Sequence, residues 1–384
     1  MKRILFASLL TIFIASGGLS AQITVSGTLD STVSMLFNTG DPTAFSFGVE
    51  EYANIRFQSR LRSDAVVYGA FNLIAASGDF ARNAATMAGL TKASNDVALA
   101  DIPPLFPGAP LPYISSTVYV GGENFIAAIE LERLYFRLRG EHTDFDGGLF
   151  RLPFGYGQVW GSSDFLNPRN PLKFDARPRG ILGALLIWYP NDEVKLQGFL
   201  ASPRNPLAND GGGLIAGLSF DQHWSTTSLQ MLYTYEMPQT DSSQGIHRAG
   251  LSLKADIEVG FVMDVLYTFN PAENTELDGL SFSAGFDYSF LGGDLIVLAE
   301  YLYNGSASST ALEFPNNHYL YTGAMYRFND FTNMNAALIT CFDDFSVTPI
   351  ISLTHELFQG GALIISAQYA DEKLECSAKV RLRF

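Results

Sequence analysis

Cysteine is nearly absent: Cys341 and Cys376 are the only 2 in 384 residues, too few for a disulfide scaffold. On the strand pattern set out below they stand three strands apart, roughly 14 Å at ~4.8 Å per strand, beyond the ~7 Å Cα limit for a bridge, so free thiols are expected. Positive charge is also short. Lys and Arg number 24 against 39 Asp and Glu, a formal net charge of -15, which speaks against nucleic acid as a partner. There is no P-loop, no dinucleotide fingerprint and no basic cluster with interleaved aromatics. His142, His223, His247, His318 and His355 are scattered over turns and strand ends, without HExxH, GxSxG or clustered metal ligands. A hydrolase assembled on a barrel wall stays formally open through His355 beside Ser352 and Thr354, but histidine at a polar turn is the commoner case. No enzyme activity, cofactor or metal is expected.

Beyond the amino terminus the chain also lacks an apolar run of the ~20 residues that a spanning helix needs. The amino terminus itself reads Met1-Lys2-Arg3, an apolar run from Ile4 to Ile14, then Gly17-Gly18-Leu19-Ser20-Ala21. That is the n-region, h-region and small-residue cut of an export signal over 1–21. A membrane anchor is the competing reading, and the run is short for one. Losing Lys2 and Arg3 with the signal takes the formal charge from -15 to -17.

What the chain has instead is alternation. Hydrophobic residues make up 47%, with 17 Tyr and 30 Phe, yet helical periodicity is almost missing. From Leu374 to Phe384, Cys376, Ala378, Val380, Leu382 and Phe384 share one face; Glu375, Ser377, Lys379, Arg381 and Arg383 share the other. This is the period of two of a strand with one apolar and one wet side. A soluble sandwich accounts for one such strand, but here the pattern recurs along an exported chain. In lipid every backbone polar group must be paired internally, so the expected fold class is all-β: a transmembrane antiparallel up-and-down β-barrel of about 18 strands, or about sixteen if a short segment is a plug. A single barrel domain is expected over 22–384, with long loops at about 76–125 and 155–180.

The connections supply a test. The first strand is expected from Ile23 to Phe37, followed by a polar loop from Asn38 to Glu51. The next places Arg56, Arg60 and Arg62 opposite Ile55, Phe57 and Leu61 and turns at Ser63-Asp64 into a third strand, Val66 to Ala75. After the irregular stretch from Ala76 to Phe125 come strands at Ile126 to Arg139 and Gly148 to Phe154, then the excursion from Gly155 to Gly180. Numbered this way, links after strands 1, 3, 5, 7, 9, 11 and 13 are long and those after even strands are short. Only the last two outer links, Asp343-Asp344 and Asp371-Glu372-Lys373, are tight. Outer-membrane barrels show that asymmetry, with short turns on the periplasmic side.

The polar faces carry segregated charge. Arg56, Arg60 and Arg62, then Arg133, Arg137 and Arg139, then Arg151, and Lys379, Arg381 and Arg383 fall on strands that become neighbours once the last strand meets the first. Asp256, Asp264, Asp287 and Glu300 fall across the barrel. Opposed rows would create a transverse field at a constriction; the alternative is arginines paired with loop carboxylates that merely fill the lumen. The loop from Tyr156 to Gly180 concentrates Trp160, Asp164, Asn167, Arg169, Lys173, Asp175, Arg177 and Arg179. Folded inward it would pack Trp160 and Phe165 and present Arg169, Lys173, Arg177 and Arg179 to the pore; the other reading is an ordered outer loop.

The run Gly148-Leu149-Phe150-Arg151, then Gln158-Val159-Trp160-Gly161, then Asp164-Phe165-Leu166-Asn167-Pro168 resembles a pattern of porin-like outer-membrane proteins related to the alginate-export and DUF1302 families. The likeness covers about thirty residues, with the order of Arg151 and Gln158 looser than in the family pattern. It implies a passive channel for small solutes and names no substrate.

The function expected from the sequence is an outer-membrane channel for small polar solutes, with an anion preference from the arginine rows. The competing class is a closed barrel acting as an adhesin through its long loops, and a soluble binding protein comes third. Expected partners are outer-membrane lipid, the barrel-assembly machinery through the strand ending at Phe384, small polar solutes and, as an option, further copies of the chain.

Overall fold

The computed structural model describes residues 22–78, 118–122, 125–167, 180–202, 213–238, 245–269, 279–305, 316–370 and 372–384. The expected export signal lies outside these residues, as do most of the 76–125 loop and Arg169, Lys173, Asp175, Arg177 and Arg179. The strands are β1 (Gln22–Asn38), β2 (Asp41–Arg62), β3 (Ala65–Gly78), β4 (Val118–Gly122), β5 (Phe125–Arg139), β6 (Thr143–Phe150), β7 (Ile181–Asn191), β8 (Val194–Ser202), β9 (Ile215–His223) and β10 (Thr227–Glu236). They continue as β11 (Ile246–Asp256), β12 (Gly260–Phe269), β13 (Leu280–Phe290), β14 (Leu295–Asn304), β15 (His318–Asn329), β16 (Thr332–Cys341), β17 (Val347–Phe358), β18 (Gly361–Ala370) and β19 (Lys373–Arg383).

All pairings are antiparallel between neighbours, and β1 pairs with both β2 and β19, so the sheet closes. β4 is the exception to the stave pattern. β3 pairs directly with β5, and β4 only lies along the first residues of β5, from Val118 opposite Ile129 to Gly122 opposite Phe125. The barrel wall therefore has 18 staves, as expected. Closure joins the two ends of the chain: Gly27 N–H donates to the Phe384 carbonyl at 2.8 Å and Phe384 N–H to the Gly27 carbonyl at 3.1 Å. The Phe384 ring lies over Gly27, where a β-carbon would sit 2.6 Å from Cζ, so only glycine leaves room for the terminal aromatic.

Alternation decides what faces where. Phe261, Tyr267 and Phe269 on β12 and Phe286, Tyr288 and Phe290 on β13 are exposed, while Asp264, Ser281 and Ser283 on the opposite faces are buried. An apolar outside and a polar inside on a closed barrel is the arrangement a membrane demands of strands. Cys341 and Cys376 are free, on β16 and β19, three strands apart as expected.

Three expectations about the links are corrected. The polar loop at Asn38 to Glu51 does not form. A turn at Thr39-Gly40, in which Asn38 Oδ1 accepts from Gly40 N–H at 3.0 Å, leads straight into β2. Phe45, Phe47 and Val49 there pair with Phe37, Met35 and Val33 of β1, so the apolar face outweighs the loop-like Asp41-Pro42-Thr43. The strand expected at Gly148 to Phe154 starts and stops earlier, at Thr143 and Phe150. Phe145 and Gly147 pair with Leu138 and Phe136 of β5, and the chain leaves the wall at Arg151. The inward excursion consequently begins before Gly155.

Candidate pore constriction

Residues 151–167 turn into the barrel and line its inner wall. Two apolar clusters seat them. Leu152, Phe154 and Leu166 pack with Phe150, Ile181, Leu185, Phe199, Ile215 and Leu232, the inward side chains of β6 to β10. Val159 and Trp160 pack with Leu302, Tyr319, Tyr321, Ala337, Ile339, Cys341 and Ile350 of β14 to β17. The Phe154 ring lies 5.2 Å from that of Phe199, and Trp160 lies 5.8 Å from Tyr319. The inward packing of Trp160 is thus met. Phe165 is held between the Phe154 ring and the Arg248 guanidinium, 4.8 Å away.

Between these clusters the segment has no regular secondary structure, so its backbone donors need acceptors from elsewhere. The wall supplies them as carboxylates. Glu300, fully buried on β14, accepts from the N–H groups of Gln158 and Val159 at 2.9 Å and of Trp160 at 3.0 Å, and its own carbonyl accepts from Trp160 Nε1 at 3.0 Å. Asp264 on β12 accepts from Tyr156 and Gly157 N–H, both at 2.9 Å. Gln230 on β10 takes the Gly155 N–H at 2.7 Å, and Asp287 on β13 takes Gln158 Nε2 at 2.6 Å. Gly155 has φ +80, and a β-carbon there would meet Asp264 Oδ2 at 2.5 Å, so the sequence must be glycine where the chain bends over the carboxylate.

The segment also ties itself together. Asn167 Oδ1 accepts from Leu152 N–H at 2.8 Å and Asp164 Oδ1 from Phe154 N–H at 3.3 Å, while Arg151 reaches Asp164 Oδ2 at 3.8 Å. Ser163 Oγ donates to the Val265 carbonyl at 3.3 Å and receives the Ser252 hydroxyl at 3.2 Å. Gln158, Trp160, Asp164 and Asn167, the polar and aromatic residues of the sequence pattern quoted above, are therefore the fasteners of the inward fold.

The structure divides the expected site residues. Asp264 and Asp287 face the lumen; the segment buries Asp264 but touches Asp287 only through the exposed Gln158 side chain, and Arg151 and Asp164 belong to it. Arg56, Arg60, Arg133, Arg137 and Arg381 have lumen-facing register on β2, β5 and β19, across from it. Several are paired: Arg137 is bidentate to Asp146 at 2.6 and 2.5 Å, Arg381 is bidentate to Asp30 at 2.8 Å, and Arg133 is 3.5 Å from Glu132. Arg56 Nε donates to Asn54 Oδ1. The Glu132/Arg133 neighbours both turn inward through the bulge opposite Ala70/Phe71. Arg62 and Arg139 sit at the rim of tight turns rather than at a constriction, Arg62 beside Asp64 at 3.3 Å. Asp256 is likewise at that rim, paired with Lys254 at 2.9 Å. Arg56, Arg381 and Arg383 line a cavity of about 430 Å³ beside the seam, together with Ser26, Gly27, Thr28 and Phe384.

Gln230, Ser163 and the central role of Glu300 escaped the sequence reading. Glu300 had a signal: a carboxylate between Leu298 and Leu302 on the same inward face of an otherwise apolar strand needs a partner brought from outside the wall.

No family model and no curated protein sequence matches this chain, so the narrower likeness to alginate-export and DUF1302 proteins stays a sequence resemblance. Solved structures do match. OccAB4 of Acinetobacter baumannii superposes with a TM-score of 0.56 at 10% identity, covering 94% of this chain and 98% of that one. OccK8 (OprE) of Pseudomonas aeruginosa gives 0.56 at 11% identity with the same coverage. A BenF-like porin from Pseudomonas fluorescens Pf-5 gives 0.56 at 8%, again over 94% and 98%. Over nearly its whole length, this chain has the 18-stranded closed barrel fold of outer-membrane porins.

Proposed function

We propose that the protein is an outer-membrane channel for passive diffusion of small polar solutes, with a preference for anions. One observation carries the reading: among the described residues, the loop 155–160 covers carboxylates of β12 to β14 and not the arginines of β2, β5 and β19. Asp264 and Glu300 accept from the backbone N–H groups of 156–160, so their charge meets oriented N–H dipoles before it meets a solute, while Asp287 takes only the Gln158 side chain. Across the lumen, Arg56, Arg60 and Arg383 stay exposed. A solute passing between an uncharged backbone ledge and a row of guanidinium groups experiences a net positive field. This is the transverse field expected from the sequence with its negative pole muted. Arg169, Lys173, Arg177 and Arg179, placed at the pore by the sequence reading, would add to the same sign.

Planar-bilayer recordings with a salt gradient test it. Discrete steps with a reversal potential on the anion side are expected. The combined Arg56→Ala, Arg60→Ala and Arg383→Ala variant should move that potential toward zero. Cation selectivity of the wild type would overturn the preference. Silent bilayers with correctly folded protein would overturn the channel and favour surface recognition by the long loops.

A further inference from the structure

At the seam where the wall closes, β1 stands proud of its neighbour. Residues Gln22 to Ser26 pair with Arg60 to Arg56 of β2, whereas β19 reaches β1 only from Thr28 onward, with Phe384 beside Gly27. Gly27 exchanges both backbone hydrogen bonds with Phe384. By the period of two, the N–H and C=O groups of Val25 and Ile23 point to the same edge, where no strand follows among the described residues. Exposure agrees. Ile23 is 60% and Val25 59% exposed, against 40% for Leu29 and 37% for Val33, which share their face where both neighbours are present. Thr24 and Ser26 on the opposite face are exposed as well. Open edges are normally blunted by charge, proline or a bulge, and Ile23-Thr24-Val25-Ser26 has none of these.

The two faces of this notch differ. Toward the lumen, Arg56, Arg60 and Arg383 are exposed, and the cavity of about 430 Å³ beside the seam is the inner side of the notch. Toward the outside lie Ile23, Val25 and Phe384. The β17–β18 turn closes at Phe358 and Gly361, and the Gly360 carbonyl accepts from Arg383 N–H at 2.7 Å. The wall beside the notch therefore ends at that level, and water reaches the edge through the short-turn mouth of the lumen. We propose that this edge takes an extended peptide segment of a periplasmic partner as an added β-strand, with acidic and apolar residues in alternation. The strand runs antiparallel to β1, in line with β19. Residues opposite Val25 and Ile23 lay apolar side chains beside theirs and aim their N–H groups at the edge; the residues between them hold carboxylates before the arginines. A second copy of the chain does not fit, because like edges pair only antiparallel, which points the two barrels in opposite directions. The edge is that of the chain freed of its expected export signal, and its occupancy is independent of conduction by the pore.

The test uses the exported, processed protein in detergent micelles or lipid nanodiscs and, as probe, a fluorescein-labelled octapeptide of alternating glutamate and valine. Saturable binding by fluorescence anisotropy is expected, at least tenfold tighter than for an octapeptide of alternating lysine and valine. Val25→Pro removes a donor that the wall does not use, so gel mobility with and without heating should report a folded barrel while affinity falls at least tenfold. Methylating the peptide amides probes the same contact without altering the protein. N-methylvaline, whose nitrogen faces the edge, should abolish binding, and N-methylglutamate should preserve it. Arg383→Ala should weaken binding severalfold and flatten its salt dependence. The proposal is overturned by absence of saturable binding of the glutamate peptide or by equal binding of the lysine peptide. Indifference to both Val25→Pro and valine methylation, which a peptide lodged in the pore would show, overturns it too. So does a two-copy mass of the wild type that falls to one copy in Val25→Pro, since the edge would then belong to a second chain.

Discussion

The two halves of the lumen solve the same problem with opposite chemistry. On β2, β5 and β19, inward arginines find carboxylates or amides on the wall itself: Arg137 with Asp146, Arg381 with Asp30, Arg56 with Asn54. The pairs are local, made along one strand or between neighbouring strands. On β10 to β14, inward Gln230, Asp264, Asp287 and Glu300 accept hydrogen bonds from the loop 155–160. A guanidinium donates and cannot accept, so a loop backbone rich in unpaired N–H groups docks on the acidic half and not on the basic one. On the proposed reading, charge segregation in the wall selects which side of the lumen the loop covers.

Glu300→Leu should break this division most severely. It removes the acceptor of three backbone N–H groups, those of Val159 and Trp160 buried, and a loss on the order of 5 kcal/mol of stability in detergent is expected. The loop should detach, with conductance rising severalfold and becoming noisy; unchanged conductance would mean that the apolar seats alone hold the segment. Trp160→Ala attacks those seats and should cost roughly 3 kcal/mol, with a smaller rise in conductance, read by thermal unfolding and the same recordings. Substituting Arg56, Arg60 and Arg383 with Ala touches exposed side chains on the basic half, so stability should stay within about 0.5 kcal/mol while the reversal potential moves. A large stability loss there would show that the basic half is as structural as the acidic one.

Much of the barrel was legible in sequence because alternation is a local signal. Cys376 to Phe384, and Phe261 to Phe269, read off the page as two-faced strands and fold as such. The first link was misread because Asp41-Pro42-Thr43-Ala44 has turn composition, whereas its strand is fixed by Phe45 and Phe47 meeting partners on β1, a fact about pairing and not about the segment. The loop's inward fold was half legible. Trp160 and Phe165 announced an apolar seat, but which carboxylates would bind which N–H groups depends on contacts more than a hundred residues apart, such as Glu300 with Gln158. Parity alone puts Asp264 and Asp287 on the inward faces of β12 and β13, and it could not say that the loop would come to meet them.

The gentlest variant tests whether the acidic row acts evenly. Asp287 lies at the end of that row, takes only the Gln158 side chain, and that contact is exposed. An exposed hydrogen bond exchanges with water at little net change, so Asp287→Ala should lose about 1 kcal/mol or less. Buried Asp264 and Glu300, which hold five backbone N–H groups between them, would go on fastening the loop. Yet the substitution deletes a lumen carboxylate that solvent can reach, so anion selectivity should rise slightly at nearly constant conductance. If Asp287→Ala instead opened the pore as Glu300→Leu is expected to do, the fastening would be shared along the whole row, and burial would no longer explain which carboxylate matters.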